Sequence, residues 1–274
     1  MSVAQLQRQV SKLREAIRQR TPADNPTLTA IRQQPARLME LAGLQPDPWQ
    51  RRLLSCPSQR TMLLCSRQSG KSTASASLAL HTALVRPSLV LLLSPSLRQS
   101  VELFRKVLEQ YSALDRPVAA LQESGTRLEL ANGSRIVSLP GTEKTVRSFS
   151  SVALLIVDEA ARVDDALYKS VKPMLAVSNG RLVALSTPFI QSGWFFDEWH
   201  SARRWDRVRI TAHDCPRISA EFLEEERQSM GPRWFAMEYL CDFQSAVGSV
   251  FDGESIRAAA RDDVLPLPLT IGAI

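Results

Sequence analysis

An apolar run that turns directly into Gly-Lys-Ser-Thr constrains this chain more than any other stretch. The segment Thr61-Met-Leu-Leu-Cys-Ser-Arg-Gln-Ser-Gly-Lys-Ser-Thr73 reads as a buried strand, a tight loop and the first turn of a helix. At such a junction the loop amides and the helix N-terminus converge on one point, where the partial positive charge of the helix end favours an anion. Gly70 lets the backbone come close, Lys71 is placed to reach the outer oxygens of a polyphosphate, and the Ser72 hydroxyl is a ligand type suited to Mg2+. The full pattern G-x-x-x-x-G-K-[ST] has glycine where this chain has Cys65. An ordinary glycine-containing turn between strand and helix is the competing reading.

A second signal lies downstream, where Val152-Ala-Leu-Leu-Ile-Val157 ends in Asp158-Glu159. Two adjacent carboxylates at the end of a buried strand are costly unless their charge is used. A divalent cation beside Asp158 relieves their repulsion. Glu159 is then placed to orient and deprotonate a water that attacks the γ-phosphate. The alternative is that the pair only caps the helix that follows.

Around these two signals, short β-type runs alternate with helical stretches: Thr61 to Cys65, a helix after Lys71, Ser88 to Leu93, a helix over Leu97 to Tyr111, then Val152 to Val157, Arg181 to Leu185 and Arg207 to Thr211. That rhythm predicts an α/β fold with a mainly parallel sheet. Thr126 to Ala131 and Ser134 to Leu139 flank Asn132-Gly133, a favoured hairpin turn, and predict an antiparallel excursion. Leu28 to Ala42 is expected to be helical at least beyond Pro35, after a break between Pro22 and Pro26. One helical region is expected over Ala220 to Tyr239, its acidic run Glu224 to Glu226 forming a solvated face. Residues 2–20 carry a thin apolar stripe among five basic residues and one acid, as an arm or lid helix would. With 274 residues, 44% of them hydrophobic, and a net charge of +6, the chain is excluded from the disordered class. Its longest apolar run falls far short of the roughly 20 residues a membrane span needs, and no secretory signal is visible, so a cytoplasmic location is expected. The widely spaced Cys56, Cys65, Cys215 and Cys241 are expected to be buried thiols.

Taken together, these residues resemble the large terminase subunit of tailed bacteriophages, over about Gly43 to Phe251. Ser66-Arg-Gln-Ser-Gly-Lys-Ser72 is similar to that family's variant Walker A, in which an Arg-Gln pair precedes x-Gly-Lys and the first glycine is often absent, so Cys65 fits. Pro46-Asp-Pro-Trp-Gln50 resembles its adenine-binding element, although a Trp-Gln pair read alone is more often a core residue beside a surface one. Arg147 to Ala161 resembles the approach to Walker B, with Ser148 where glycine is commoner. Leu185-Ser-Thr-Pro188, by itself a strand-to-loop transition, is similar to the coupling motif, and Tyr239 to Phe243 with Ser249 to Phe251 resembles the segment closing the ATPase region.

The resemblance implies a P-loop NTPase of the RecA/ASCE-like class: a mainly parallel sheet flanked by helices, with a small helical lid subdomain. It also implies ATP and Mg2+ as cofactors. Trp49, Gln50, Ser66, Arg67, Gln68, Ser69, Gly70, Lys71, Ser72, Thr73, Asp158, Ser186 and Thr187 would hold the nucleotide, with Ser72 and Asp158 at the metal. Glu159, Lys71 and Arg67 would be catalytic, the arginine acting in cis or being replaced by one from a neighbouring subunit. The strand ending at Ser186 would lie between the Walker A and Walker B strands. The domains implied are a helical arm over 1–40, the motor over 41–246, and over 247–274 a linker and first strand of an RNase H-like nuclease domain, without nuclease activity from these residues. Double-stranded DNA, a terminase small subunit, a portal protein and further copies forming a ring, from a chain monomeric in isolation, are the implied partners in the bacterial host cytoplasm. A helicase-like DNA-dependent ATPase and a nucleotide-binding but inactive prophage remnant are the alternatives. For Arg162, Arg203, Arg204 and Arg207, DNA contact competes with a solvated surface.

Overall fold

The strands at the centre of the sheet are apolar on both faces, and the sheet is accordingly covered on both sides. The computed structural model describes residues 25–140 and 149–245, together with Gln5 and Gln7. Apart from those two glutamines, the arm expected before residue 21, with Arg147-Ser148 and everything from residue 246 onward, Ser249 to Phe251 included, lies outside the described residues.

In chain order the elements are α1 (Pro26–Gln33), α2 (Arg37–Leu41), α3 (Pro48–Ser55), β1 (Arg60–Cys65), α4 (Lys71–Val85), β2 (Leu89–Ser94), α5 (Leu97–Ala113), β3 (Ala120–Glu123), β4 (Arg127–Leu130) and β5 (Arg135–Pro140). They continue with β6 (Leu154–Asp158), α6 (Asp165–Val171), β7 (Arg181–Ser186), α7 (Trp194–His200), β8 (Asp206–Ile210), α8 (Ala220–Met230) and α9 (Pro232–Glu238). The strands form one sheet in the order β3-β4-β5-β2-β6-β7-β1-β8. From β5 to β8 all pairings are parallel, and only β4 runs against its neighbours.

Strand periodicity of two sends alternate residues to opposite faces. Leu63, Cys65, Val90, Leu92, Ile156 and Val183 join the core under α4 and α5. Met62, Leu64, Leu91, Leu93, Val157 and Ala184 join the opposite core, with Tyr168, Trp194 and Phe195. A small satellite cluster gathers Ala212, Leu223, Phe235 and Tyr239 around α8 and α9. Among the described residues no helix is long and apolar enough to cross a membrane.

Several elements differ from expectation for local reasons. Pro26 opens a helix instead of breaking one: Asn25 caps it, accepting from the amides of Thr27 and Leu28, and proline suits the first helical position. Leu28, Ile31 and Leu38 then enter the main core, which thus reaches back before residue 40. The Asn132-Gly133 hairpin forms with Gly133 at φ +88°, but β5 pairs in parallel with β2, so the hairpin widens the sheet rather than leaving it. The expected helix over 220–239 is two helices, divided where Gly231 takes φ +78° before Pro232. Beyond β7, Ile190 bridges Gln244 in parallel, with Gln191 N–H donating to the Gln244 carbonyl (2.9 Å) and Gln244 N–H to that of Phe189 (3.0 Å).

Candidate functional site

The site lies at the C-terminal edge of the parallel strands, where α/β sheets bind their ligands. β1 delivers residues 66–70 as a loop and α4 begins at Lys71 directly behind it. Gln68 and Gly70 both take left-handed backbone, at φ +59° and +88°, which closes the loop tightly. Inside it, the Ser69 hydroxyl donates to the Ser66 carbonyl (2.9 Å). From outside, the Ser66 amide donates to the Ile210 carbonyl (2.8 Å) and the Arg67 amide to that of Glu238 (2.7 Å). Cys65 is fully buried at the end of β1, and that burial pushes its thiol far above the ordinary range. It is an inert packing residue at a position where other loops of this type carry glycine.

β6 is one strand removed from β1, yet the side chains meet. Lys71 Nζ lies 3.0 Å from Glu159 Oε1, with both side chains largely buried. The Ser72 hydroxyl donates to Asp158 Oδ2 (3.3 Å), and Asp158 Oδ1 accepts from the Glu159 amide (3.0 Å). Glu159 sits in left-handed backbone at φ +50°, an unfavourable conformation for a residue with a long side chain and one that tends to occur at functional sites. β7 lies between β1 and β6, with Ser186 level with Leu64 and Leu185 with Asp158. Ser186 is fully buried and donates to Glu159 Oε2 at 3.5 Å; Thr187 beside it is also buried.

Burial and then the Glu159 charge push the Asp158 carboxyl up to about 6, against the pull of Lys71. Burial drags the Lys71 ammonium down, but Glu159 and Asp158 together outweigh it and the net shift is upward. Lys71 is therefore a fixed cation and Asp158 a carboxylate short of positive charge. With the Ser72 hydroxyl beside it, Asp158 offers hard oxygen donors that fit Mg2+.

Other candidates are placed differently. Gln50, in the first turn of α3, donates through Nε2 to the Gly70 carbonyl (3.4 Å) while its Oε1 accepts from the Asp47 amide (2.9 Å). Trp49 packs into the main core, its indole N–H buried without a partner among the described residues. Thr73 is tied to the helix interior, its carbonyl accepting from Gln110 Nε2 (3.2 Å). Arg67 and Gln68 are exposed, and neither side chain makes a hydrogen bond or ion pair among the described residues. Arg207 is structural: one of its guanidinium nitrogens takes the carbonyls of Glu198 (2.8 Å), Ser201 (2.7 Å) and Arg203 (3.1 Å) at the end of α7. Arg203 pairs with the buried Glu198 (2.6 Å), and Arg162 stacks over Phe189 (4.4 Å), while Arg204 stays exposed.

One residue at the loop carries no sequence signal. Arg217, between β8 and α8, forms a two-pronged ion pair with Asp47 (2.7 Å on each prong) and donates to the Ser69 carbonyl (3.1 Å). Asp47 did carry a signal, since Asp-Pro-x-Gln is a capping box, and the structure forms it.

Residues 62–258 match the family model described as terminase large subunit, T4likevirus-type, N-terminal. The terminase large subunit of Thermus virus P23-45 is 25% identical over 255 residues, covering 79% of this chain and 52% of its own length. This chain therefore spans about half of that relative. Among solved structures, the large terminase ATPase domain of Thermus phage P74-26 superposes with a TM-score of 0.66 at 20% identity, covering 75% of this chain and 96% of its own. The large terminase of another thermophilic bacteriophage, in complex with ATP-gamma-S, gives 0.57 at 11% identity, covering 72% of this chain and 52% of its own. These likenesses establish the fold as that of the terminase ATPase domains.

Proposed function

Since the chain belongs to the terminase large-subunit family, we propose that it hydrolyses ATP and uses the energy to move double-stranded DNA into a procapsid. The observation that carries the proposal is the meeting of Lys71 and Ser72, at the start of the helix behind β1, with Asp158, Glu159 and Ser186 at the ends of the neighbouring parallel strands β6 and β7. Lys71 and the loop amides bind and orient the outer phosphates. Glu159 accepts the proton of the attacking water, and its ion pair with Lys71 (3.0 Å) fixes where its carboxylate stands for that task. Ser72 and Asp158 would hold Mg2+, which supplies charge neutralisation on the phosphate oxygens. Gln50, with Trp49 from the same turn, is proposed to frame the adenine, and Ser66, Gln68, Ser69, Gly70 and Thr73 to complete the cradle. Ser186 and Thr187 are proposed to report the γ-phosphate.

Arg67, exposed at the loop, is proposed as a catalytic cation toward that phosphate. The proposal extends to a motor domain over 41–246, whose core also takes in Leu28, Ile31 and Leu38, to ring assembly at a portal, to a small-subunit partner and to work in the host cytoplasm.

Phosphate release with and without double-stranded DNA, from wild type and Glu159→Ala, tests the central step. Wild type should be stimulated by DNA, and the variant should lose roughly 10²- to 10⁴-fold in rate. Equal rates in the two proteins would remove the motor reading.

A further inference from the structure

The amides proposed to cradle phosphate belong to peptides whose carbonyls are held from behind. The Ser69 carbonyl accepts from Arg217 Nη2 (3.1 Å), and the Gly70 carbonyl accepts from Gln50 Nε2 (3.4 Å) as well as from the Ala74 amide of the first helical turn (3.1 Å). The peptide is planar and trans, so its C=O and N–H point in opposite directions. Fixing the Ser69 carbonyl toward Arg217 therefore directs the Gly70 amide to the other side of the peptide. Holding the Gly70 carbonyl does the same for the Lys71 amide.

The two holders are one unit. Asp47, buried at the start of α3, takes both prongs of the Arg217 guanidinium on its carboxylate and gives its own amide to Gln50 Oε1 (2.9 Å). Arg217 comes from the segment after β8, 170 residues away from Asp47 in sequence. A bidentate guanidinium is suited to this geometry, because its planar fork can serve a carboxylate and a carbonyl together while a lysine has one nitrogen to offer.

We infer that Arg217 is a positioning residue for nucleotide binding, bridging Asp47 and the Ser69 carbonyl so that the Gly70 amide is preset toward the phosphates. The inference rests on the proposed ATP site and adds to it a residue that need not touch the ligand. Preset amides serve the bound nucleotide and the transition state alike, so their loss raises KM more than it lowers kcat.

The test is titration of the purified full chain with a fluorescent ATP analogue in Mg2+, alongside KM, kcat and melting temperature. The variants are Arg217→Ala, Arg217→Lys and Asp47→Asn. Arg217→Ala and Asp47→Asn should each weaken binding and raise KM about tenfold, the scale of one hydrogen bond to a charged group, with kcat within roughly threefold. Arg217→Lys should recover part of the affinity, and the double variant should be no worse than either single one. If wild type binds and the variants remain within about twofold of it, whatever happens to their melting temperatures, this inference is overturned and the ATP site stands. If wild type binds no nucleotide, both fall.

Discussion

Glu159 concentrates three constraints at one position. Its backbone is left-handed, one carboxylate oxygen faces Lys71, and the other accepts from Ser186. Lys71→Ala removes the charge facing that buried carboxylate; binding of the fluorescent ATP analogue should fall at least about tenfold, since a charge-assisted contact to phosphate goes with it. Gly70 is a second case. At φ +88°, a Cβ there would stand 2.8 Å from Gln50 Nε2 and 3.2 Å from Arg217 Nη2. Gly70→Ala should therefore cost about 1–3 kcal/mol in a denaturant melt and weaken nucleotide binding as well. Lys71, Ser72, Asp158 and Glu159 were legible in the sequence because each follows an apolar strand whose end fixes where it stands. Arg217 was not, because only the pairing of β8 with β1 carries its loop to the phosphate-binding turn. The depth of Trp49 was likewise set by helices packing around it, which no local pattern records.

At the level of elements, β7 needs a glycine at its root. A Cβ on Gly180 would lie 2.0 Å from the Val152 carbonyl, a backbone atom that cannot swing away. Gly180→Ala should cost about 3 kcal/mol or more and lower the melting temperature. His81 joins α4 to α1 through the Ile31 carbonyl (3.0 Å). Burial first, then Arg181 and Arg86, hold its pKa below 6.5, while the Ile31 contact partly opposes them. The folded protein thus binds fewer protons than the unfolded chain below pH 6.5. His81 supports stability above that pH, and the support is lost as the pH falls through the lowered value. Replacement by glutamine should flatten the acid limb of the melting-temperature profile. β1, β2, β6 and β7 were readable as apolar runs and β4, β5 and β8 as runs that alternate apolar with polar residues, but β3 was not readable. That strand ends in Gln122-Glu123, lies at the sheet's edge and owes its existence to β4. Gly231-Pro232 was visible in the sequence and divides α8 from α9, yet the apolar pattern of the two helices reads through it.

For the whole molecule, the basic charge is unevenly spread: residues 51–100 hold seven basic residues and no acid, in the part of the chain that builds the phosphate-binding turn. Arg67 belongs to that set, and its exposure leaves open service to its own site or to a neighbour's. Mixing Arg67→Ala with wild type decides between them. Hydrolysis proportional to the wild-type fraction is expected for action in cis, and full rescue at the variant's own site would establish action in trans. The parallel fold was legible from the rhythm of apolar runs, because a sheet buried on both faces needs continuous apolar strands, and its nucleotide edge from the Gly-Lys-Ser-Thr junction and the Asp158-Glu159 pair.

What the sequence did not disclose is the junction of Phe189, Ile190 and Gln191 with Gln244. Pro188 alone separates Thr187 from the first of these residues. The chain that leads out to residue 246 and beyond is thereby stitched to the turn that leaves the proposed γ-phosphate sensor. Any shift of Ser186 and Thr187 would cross a gearing only a few bonds long before reaching that outgoing chain, with no domain-wide rearrangement in between.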